Sequence, residues 1–327
     1  MDDPLIYVRA IHFAATITVA GVVFFVVLIA EPAFRAAGTD ARVPAIVHRR
    51  FAWIAWISLL LTVLSGAAWL VLIAQTMSDR SIADVYSDGV IWTVLLQTGF
   101  GRDWLERFVM ACLLAAVFAP FLSARGGKPV WIKLAAAALA AGLAGTLAWA
   151  GHAAGGPGLE DVLHPAADVL HLIAAAAWVG MLLPLALVLA AASRDASSVA
   201  IARAATVRFS TIGIASVGTL LVTGSINTWY LAGSVPALID SDYGHLLLIK
   251  IVLFLGMVVI AAVNRFRLTP LVVGEGSGTR NALRKLRRNT AIEVAAGIFI
   301  IAIVALLGVT PPGLHAEMMP HAHHHSD

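Results

Sequence analysis

The sequence predicts an all-α integral membrane protein with eight transmembrane helices, and three observations predict it. Of 327 residues, 60% are hydrophobic and only 13% are charged, with a mean hydropathy of +0.89. That balance does not suit a soluble domain built on one core. Eight apolar stretches approach or exceed the roughly 20 residues a helix needs to cross a hydrocarbon layer of about 30 Å. The basic residues gather in alternate loops, which sets an orientation.

The first span, 5–30, contains an apolar run from Ile11 to Ala30 that is too long for the apolar part of a signal peptide. Two aspartates precede it and no small-residue cleavage site follows, so it reads as a retained helix. Further spans are expected at 51–76, 104–122, 131–150, 166–192, 209–232, 244–264 and 290–309. Residues 89–98 form a shorter apolar piece, expected as an interfacial helix ahead of the third span. The loops 31–50, 123–133, 193–208 and 264–289 hold 17 of the 22 Lys and Arg residues, seven of them in the last loop. By the positive-inside rule these loops are cytoplasmic and both termini lie outside, as an even number of spans requires. Trp53, Trp56 and Trp131 are expected in an inner aromatic belt, and Trp69, Trp104, Trp149 and Trp229 in an outer one. Glu31 and Glu293 are expected to pair with cytoplasmic arginines, and Arg107 and Lys250 to snorkel outward.

Fourteen of 19 acidic residues then fall at the outer face, which favours cations there. Ten of the 11 histidines fall there too, His48 being the exception. Imidazole is the commonest protein metal ligand, so the one-sided distribution points to a metal function at the outer face. The single cysteine, Cys112, excludes an internal disulfide and a Cys-x-x-Cys metal site.

The spans also show an internal repeat. His12 to Gly21 in span one and His171 to Gly180 in span five are both nine steps. Phe51 to Gly66 and Phe209 to Gly224 are both 15 steps, and Gly101 to Arg107 and Gly244 to Lys250 both six. The order is the same in both sets, with an extra stretch near 77–97 in the first. Two four-helix halves of like orientation are therefore expected, 1–150 and 151–310, followed by a His/Met-rich outer tail, 311–327. Such parallel halves are related by an axis along the membrane normal. The repeat places His12 and His171 at equivalent depth.

The second half resembles the copper resistance protein D family. The residues that carry the resemblance are "GHAA" at 151–154, "HLIAAAAWVG" at 171–180, "RFSTIGIASVGTLLVTG" at 208–224, "YGHLLLIK" at 243–250 and "NRFRL" at 264–268. The first half matches more loosely: it has no tryptophan in the place of Trp178, and Arg102 where the second half has His245. The resemblance implies a multi-pass protein of the bacterial inner membrane, concerned with copper uptake or tolerance. It also implies a small periplasmic copper-binding partner of the CopC type. Copper itself comes from the resemblance; the residues alone point to an outer histidine system.

The candidate metal-binding residues follow from both readings. His171 lies near the outer end of span five, with Asp168 one turn before it and His164 one turn before that. His164 and His171 are two turns apart, about 10 Å along the axis, and cannot share one ion as helical neighbours. Asp168 is expected to orient His171 or to supply an oxygen ligand. His12 has Arg9 in the place of Asp168, so Arg9 either pairs with Asp168 or snorkels to the headgroups. His152 lies in a glycine-rich outer loop and His245 opens span seven. The tail offers His315, Met318, Met319, His321, His323, His324 and His325. Thioethers favour Cu(I), whereas imidazole accepts Cu(I) or Cu(II). A central site of His171, His12 and His152 would bring its nitrogens within roughly 3–4 Å of one another.

No Walker A loop, intramembrane Cys-Pro-Cys, nucleophile–base pair or nucleic-acid module is visible, so an enzyme, a nucleotide-driven pump and a nucleic-acid partner are not expected. The basic segment 280–288 suits anionic lipid at the cytoplasmic face. Two other readings fit the residues: a haem b electron carrier with His12 and His171 as axial ligands, and a module that only docks a periplasmic copper chaperone. The orientation is tested with a periplasm-active reporter. Fused after Asp327 it is expected to be active, and inserted at Gly278 silent; the reverse pattern would put the ten histidines on the cytoplasmic side.

Overall fold

The computed structural model describes residues 3–38, 42–122, 129–150, 160–193, 198–232, 235–274 and 278–311. Among these residues the secondary structure is entirely helical. Eight helices are long and apolar enough to cross a membrane, one at each predicted span. In chain order they are α1 (Pro4–Ala37), α2 (Arg42–Ser78), α5 (Gly99–Phe121), α6 (Val130–Trp149), α7 (Val162–Ala192), α8 (Val199–Ala232), α10 (Asp242–Val273) and α11 (Thr279–Leu307). Helices are the natural outcome for such sequences, because hydrocarbon offers backbone amides no partner outside their own segment. Large apolar side chains such as Leu60, Leu113, Val222, Val252 and Phe299 stay exposed on the outward helix faces, where lipid rather than water is the solvent.

Among the described residues there are also three short helices: α3 (Ile82–Ser87), α4 (Val90–Gln97) and α9 (Val235–Asp240). The sequence predicts α4 but neither α3 nor α9; α4 and α9 are alike. Each of these two leads into a spanning helix in the same manner. Thr98 Oγ1 accepts from Gly101 N at 3.0 Å, and Ser241 Oγ accepts from Gly244 N at 3.0 Å, capping α5 and α10. A Cβ on Gly101 would fall on the carbonyl oxygens of Val94 and Leu95, and one on Gly244 on that of Leu238. The matched glycines therefore mark where a short helix folds back onto a long one.

The helices also run further than the apolar runs. The 31–50 stretch, expected as a loop, is helical over Glu31–Ala37 and again from Arg42, and 264–289 is helical over Asn264–Val273 and from Thr279. Basic residues mark the end of the hydrocarbon and not the end of the helix; Lys and Arg are good helix formers. Among the described residues three helices contain a π turn, at Val26–Ala30, Ala176–Gly180 and Asn264–Leu268. Each precedes a proline: Pro32, Pro184 and Pro270. The carbonyl four residues before each, on Leu28, Gly180 and Phe266, lies inside the π turn. A proline ring clashes with that carbonyl in a regular helix and offers it no N–H; the wider turn gives the clash room.

The α1 helix is the hub. It touches α2, α6, α7 and α11, and its residues Val19, Ala20, Val22, Val23, Phe25 and Val26 are fully buried. At its centre α1 meets α7 backbone to backbone. A Cβ on Gly21 would fall on the Gly180 backbone, and one on Gly180 would stand 3.0 Å from Gly21 Cα and overlap Ile17 O. Near the basic loops, Lys133 pairs with Glu31 and ties α6 to α1. Lysine thus takes the place expected of an arginine, because the antiparallel neighbour that ends beside Glu31 carries Lys133.

Trp53, Trp131 and Trp229 are exposed, as belt residues should be, but Trp69 is 2% exposed and belongs to the core. Gly21→Ala has no escape from a backbone clash, and overpacking of this kind costs about 1–3 kcal/mol. The purified variant is expected to melt below the parent protein in detergent. Gly256→Ala, where nothing lies within 4 Å, is expected to melt with the parent.

Candidate metal centre

His12 is 2% exposed on α1. Its Nδ1 lies 3.1 Å from Thr62 O and 3.1 Å from Ser65 Oγ, both on α2. A carbonyl oxygen only accepts, so Nδ1 carries the proton. The Ser65 hydroxyl donates to Leu61 O at 2.5 Å, which leaves its oxygen as a second acceptor. His12 Nε2 therefore holds a lone pair, and it is buried without a partner. The ring sits edge-on to Trp69 at 5.5 Å. Beneath it, a Cβ on Gly66 would stand 3.3 Å from His12 Cε1 and 3.2 Å from Trp104 Nε1.

His171 is held alike on α7. Its Nδ1 is 3.0 Å from Thr223 Oγ1, and the Thr223 hydroxyl is committed to Thr219 O at 2.7 Å. Thr223 Oγ1 must accept, Nδ1 again carries the proton, and Nε2 is the free lone pair. A Cβ on Gly224 would stand 3.5 Å from His171 Cε1. Ser65–Gly66 and Thr223–Gly224 are thus a polar clamp and a floor for the two imidazoles. Both pairs end the matched 15-step spacings, but as repeat anchors they gave no sign of being histidine partners. The orienting bond to Nδ1 fixes the tautomer that a metal-binding Nε2 needs.

The surroundings differ. His12 looks into a cavity of about 10 Å³ lined by Thr62, Gly66, Trp104 and Arg107. Arg107 does not snorkel; it is buried and donates through Nη2 to Thr146 O at 2.8 Å and through Nε at 3.3 Å. Its guanidinium lies 5.8 Å from the Trp69 ring, and that of Arg9 lies 4.7 Å from the same ring. The tryptophan thus has two cations against its ring, a role its helix-end position did not suggest. The Arg9 guanidinium also abuts Gly308 at the end of α11. Among the described residues Arg9 forms no ion pair with Asp168.

His171 looks into much larger space. One cavity of about 440 Å³ runs along Trp178, Phe254 and Lys250, and a contiguous one of about 200 Å³ is lined by His164, Asp168, Asn227, Tyr243, Lys250 and Arg9. Asp168 Oδ1 accepts from Asn227 Nδ2 at 2.5 Å, linking α7 to α8. His164 stacks on Tyr230 at 5.1 Å, and its Nε2 is buried without a partner. Lys250 faces this polar space and does not reach outward, because α7, α8 and α11 surround that face of α10 and close off the direction of snorkelling.

The structure therefore brings His164, Asp168 and His171 to one cavity and leaves His12 in another. His245 is exposed and lines neither. His152, His315, Met318, Met319, His321, His323, His324 and His325 lie outside the described residues. Among the described residues no three His, Cys, Asp or Glu side chains are grouped to hold an ion, so a centre joining His171, His12 and His152 is not assembled from α1 and α7 alone.

Eight helices long and apolar enough to span a membrane, with two clamped imidazoles among them, define a polytopic membrane protein. The sequence comparisons give the family. Residues 1–162 match the "Copper resistance protein D-like, N-terminal domain" model and residues 203–307 the "Copper resistance protein D" model. Copper resistance protein D of Pseudomonas syringae pv. tomato is 31% identical over 97% of this chain and 100% of its own. The chain belongs to the copper resistance protein D family. Inner membrane protein YebZ of Escherichia coli (strain K12) is 32% identical over 70% of this chain and 74% of its own. Copper transport protein CutJ of Bacillus subtilis (strain 168) is 27% identical over 69% of this chain and 39% of its own. No solved structure matches.

The two floors predict unequal tolerance. Gly66→Ala places a methyl group at 3.3 Å from a ring locked by Trp69 and Trp104, whereas Gly224→Ala meets His171 at an ordinary 3.5 Å beside open space. Gly66→Ala is expected to lower the melting temperature in detergent and Gly224→Ala to leave it near the parent value.

Proposed function

We propose that this protein carries copper across a bacterial inner membrane, or passes it to a partner, and that His171 is the imidazole through which the ion enters. The observation that carries this reading is the free Nε2 of His171, oriented by Thr223 and open to a cavity that also holds Asp168 and His164. A neutral imidazole with its second nitrogen already engaged is the form that ligates a first-row metal. Asp168 contributes negative charge there, which offsets Lys250. His12 is the weaker candidate, since a cation at its Nε2 would meet the guanidinium of Arg107 with no carboxylate on the cavity wall.

Supply of the ion falls to His152 and to the tail residues His315, Met318, Met319, His321, His323, His324 and His325, whose mix of imidazole and thioether suits copper in either oxidation state. A CopC-type periplasmic protein is the natural donor to that face, and anionic lipid the natural contact of the basic loops on the other. The ion is cargo, and ligand exchange is the only chemistry required of the protein. Haem b is disfavoured as the occupant: about 10 Å³ at His12 leaves no room for a macrocycle.

His171→Ala is expected to remove tight copper binding and copper-dependent phenotypes, and deletion of 315–327 to weaken uptake only at low copper. Thr223→Val, which keeps the shape but loses the orienting acceptor, is expected to weaken copper affinity about 10–100-fold. Metal analysis and equilibrium dialysis of the purified proteins read all three. Full copper stoichiometry in His171→Ala with loss in the tail deletion would make the tail the site and the buried imidazole structural.

A further inference from the structure

Another cavity, of about 350 Å³ and lined by apolar side chains with a few polar ones among them, lies nearer the basic loops, between α7, α8, α10 and α11. Glu293 of α11 lines it and is 1% exposed. Its Oε2 accepts from Asn264 Nδ2 at 3.1 Å, and Asn289 Nδ2 in turn donates to Asn264 Oδ1 at 2.7 Å. Its Oε1 is buried without a partner. No cation answers the charge. Arg265 is the only other titratable side chain lining this cavity among the described residues, and its Nη1 is committed to Ser210, at 2.8 Å from Oγ and 3.1 Å from the carbonyl oxygen. From α7 the lining is apolar, and α8 contributes Thr206 and Ser210 as its only polar side chains. The expected pairing of Glu293 with an arginine is therefore not formed, because the arginine of the nearest turn is turned to α8.

An ionised carboxylate in this position would be buried, uncompensated and half solvated, the most expensive state for such a group in a membrane. A protonated carboxyl removes the charge and uses Oε1 as a donor or acceptor for water. The cavity is fit to hold water, since the Thr206 hydroxyl also lies there without a partner. Copper is a poor occupant: no His, Met or Cys lines this cavity, and the seven basic residues of 264–289 stand at its end of the bundle. Asn264 opens one of the three π turns, a local geometry frequent at functional sites.

The cavity also touches the histidine space. Trp178 and Leu221 line both, and Trp178 is held edge-on by Phe254 at 5.9 Å. The cavity of His171 and the cavity of Glu293 thus share these two side chains as a common wall.

We propose that Glu293 is an exchangeable proton site, loaded and unloaded through the cavity at the basic end, and that its proton moves in step with the cargo admitted at His171. The second clause rests on the copper reading; the first does not. One O–H bond forms on the carboxylate or breaks to water, and no electrons are exchanged.

Infrared difference spectra across a pH titration test the first clause on the full-length protein. The carbonyl stretch of a protonated carboxyl is expected in the parent and lost in Glu293→Gln, the isostere of the protonated form; an unchanged spectrum overturns the site. Proteoliposomes loaded with a pH-sensitive dye and given copper salt test the second. The parent is expected to move protons with copper, and Glu293→Gln to bind copper fully yet lose both the proton movement and the acceleration by an imposed pH gradient. Glu293→Asp is expected to restore part of both. Copper flux without proton movement in the parent, or proton movement undiminished in Glu293→Gln, overturns the coupling. A parent that neither binds nor moves copper overturns the copper reading and the coupling clause with it, while the infrared result still decides whether Glu293 holds the proton.

Discussion

At Gly21 and Gly180 the backbones of α1 and α7 come so close that neither position accepts a Cβ. Small residues at helix crossings let backbones approach and supply the dispersion contact that stands in for a hydrophobic driving force in lipid. This one contact sets the geometry of the whole interior. His12 and His171 each lie nine residues before their glycine, or about 13 Å along a helix, so the crossing fixes both imidazoles on the same side of it. With α1 and α7 locked, α2 brings Ser65 and Gly66 to His12, and α8 brings Thr223 and Gly224 to His171. The π turn at Ala176–Gly180 ends on the crossing glycine itself, so the accommodation of Pro184 and the close approach share one turn.

Much of this frame was legible in the sequence. All eight spans were, because length and apolarity are what a bilayer requires of a helix. The paired spacings were legible as well, and similar contacts occur at their members: a hydroxyl and a glycine beside each histidine, and a capped turn with a fold-back glycine at Gly101 and Gly244. Helix ends were less so, since the charges that mark the water boundary are compatible with helix on both sides of it. The fates of Arg107, Lys250 and Trp69 were not legible at all. Each sits near a helix end, where depth alone predicts snorkelling or a belt. What decides between surface and interior is which helix packs against that face, and for a bundle this is a property of the tertiary arrangement. The same holds for Glu293, whose partner is Asn264 because Arg265 points to α8.

The two histidines are clamped alike but sit in different electrostatics. Around His12 the buried charges are guanidiniums beside Trp69: Arg107 donates to the carbonyl of Thr146, while Arg9 abuts the end of α11 with its Nε left without a partner. They tie α1, α5, α6 and α11 together and leave about 10 Å³ beside the imidazole. Around His171 the charges are mixed, with Asp168 facing Lys250 and Arg9, and the space is larger by more than an order of magnitude. A histidine clamp that serves packing in one half is thus free to serve a ligand in the other. Cavity and counter-charge, which the bare His-to-Gly spacing cannot report, make the difference.

The polar interior of the second half is also graded along its length. At one end stand imidazole, carboxylate and amide groups suited to a soft or borderline cation; at the other stand a carboxyl, a hydroxyl and two amides suited to water and a proton. Trp178 and Leu221 lie between them. A continuous polar channel would leak protons through a membrane, and a continuous apolar plug would admit nothing. An indole held edge-on by Phe254 is a barrier that one rotation of a side chain or a small shift of α10 could open, and the π turns at Ala176–Gly180 and Asn264–Leu268 place non-regular backbone on the helices that would have to move. The features that separate the two cavities are therefore the same ones that would let them communicate.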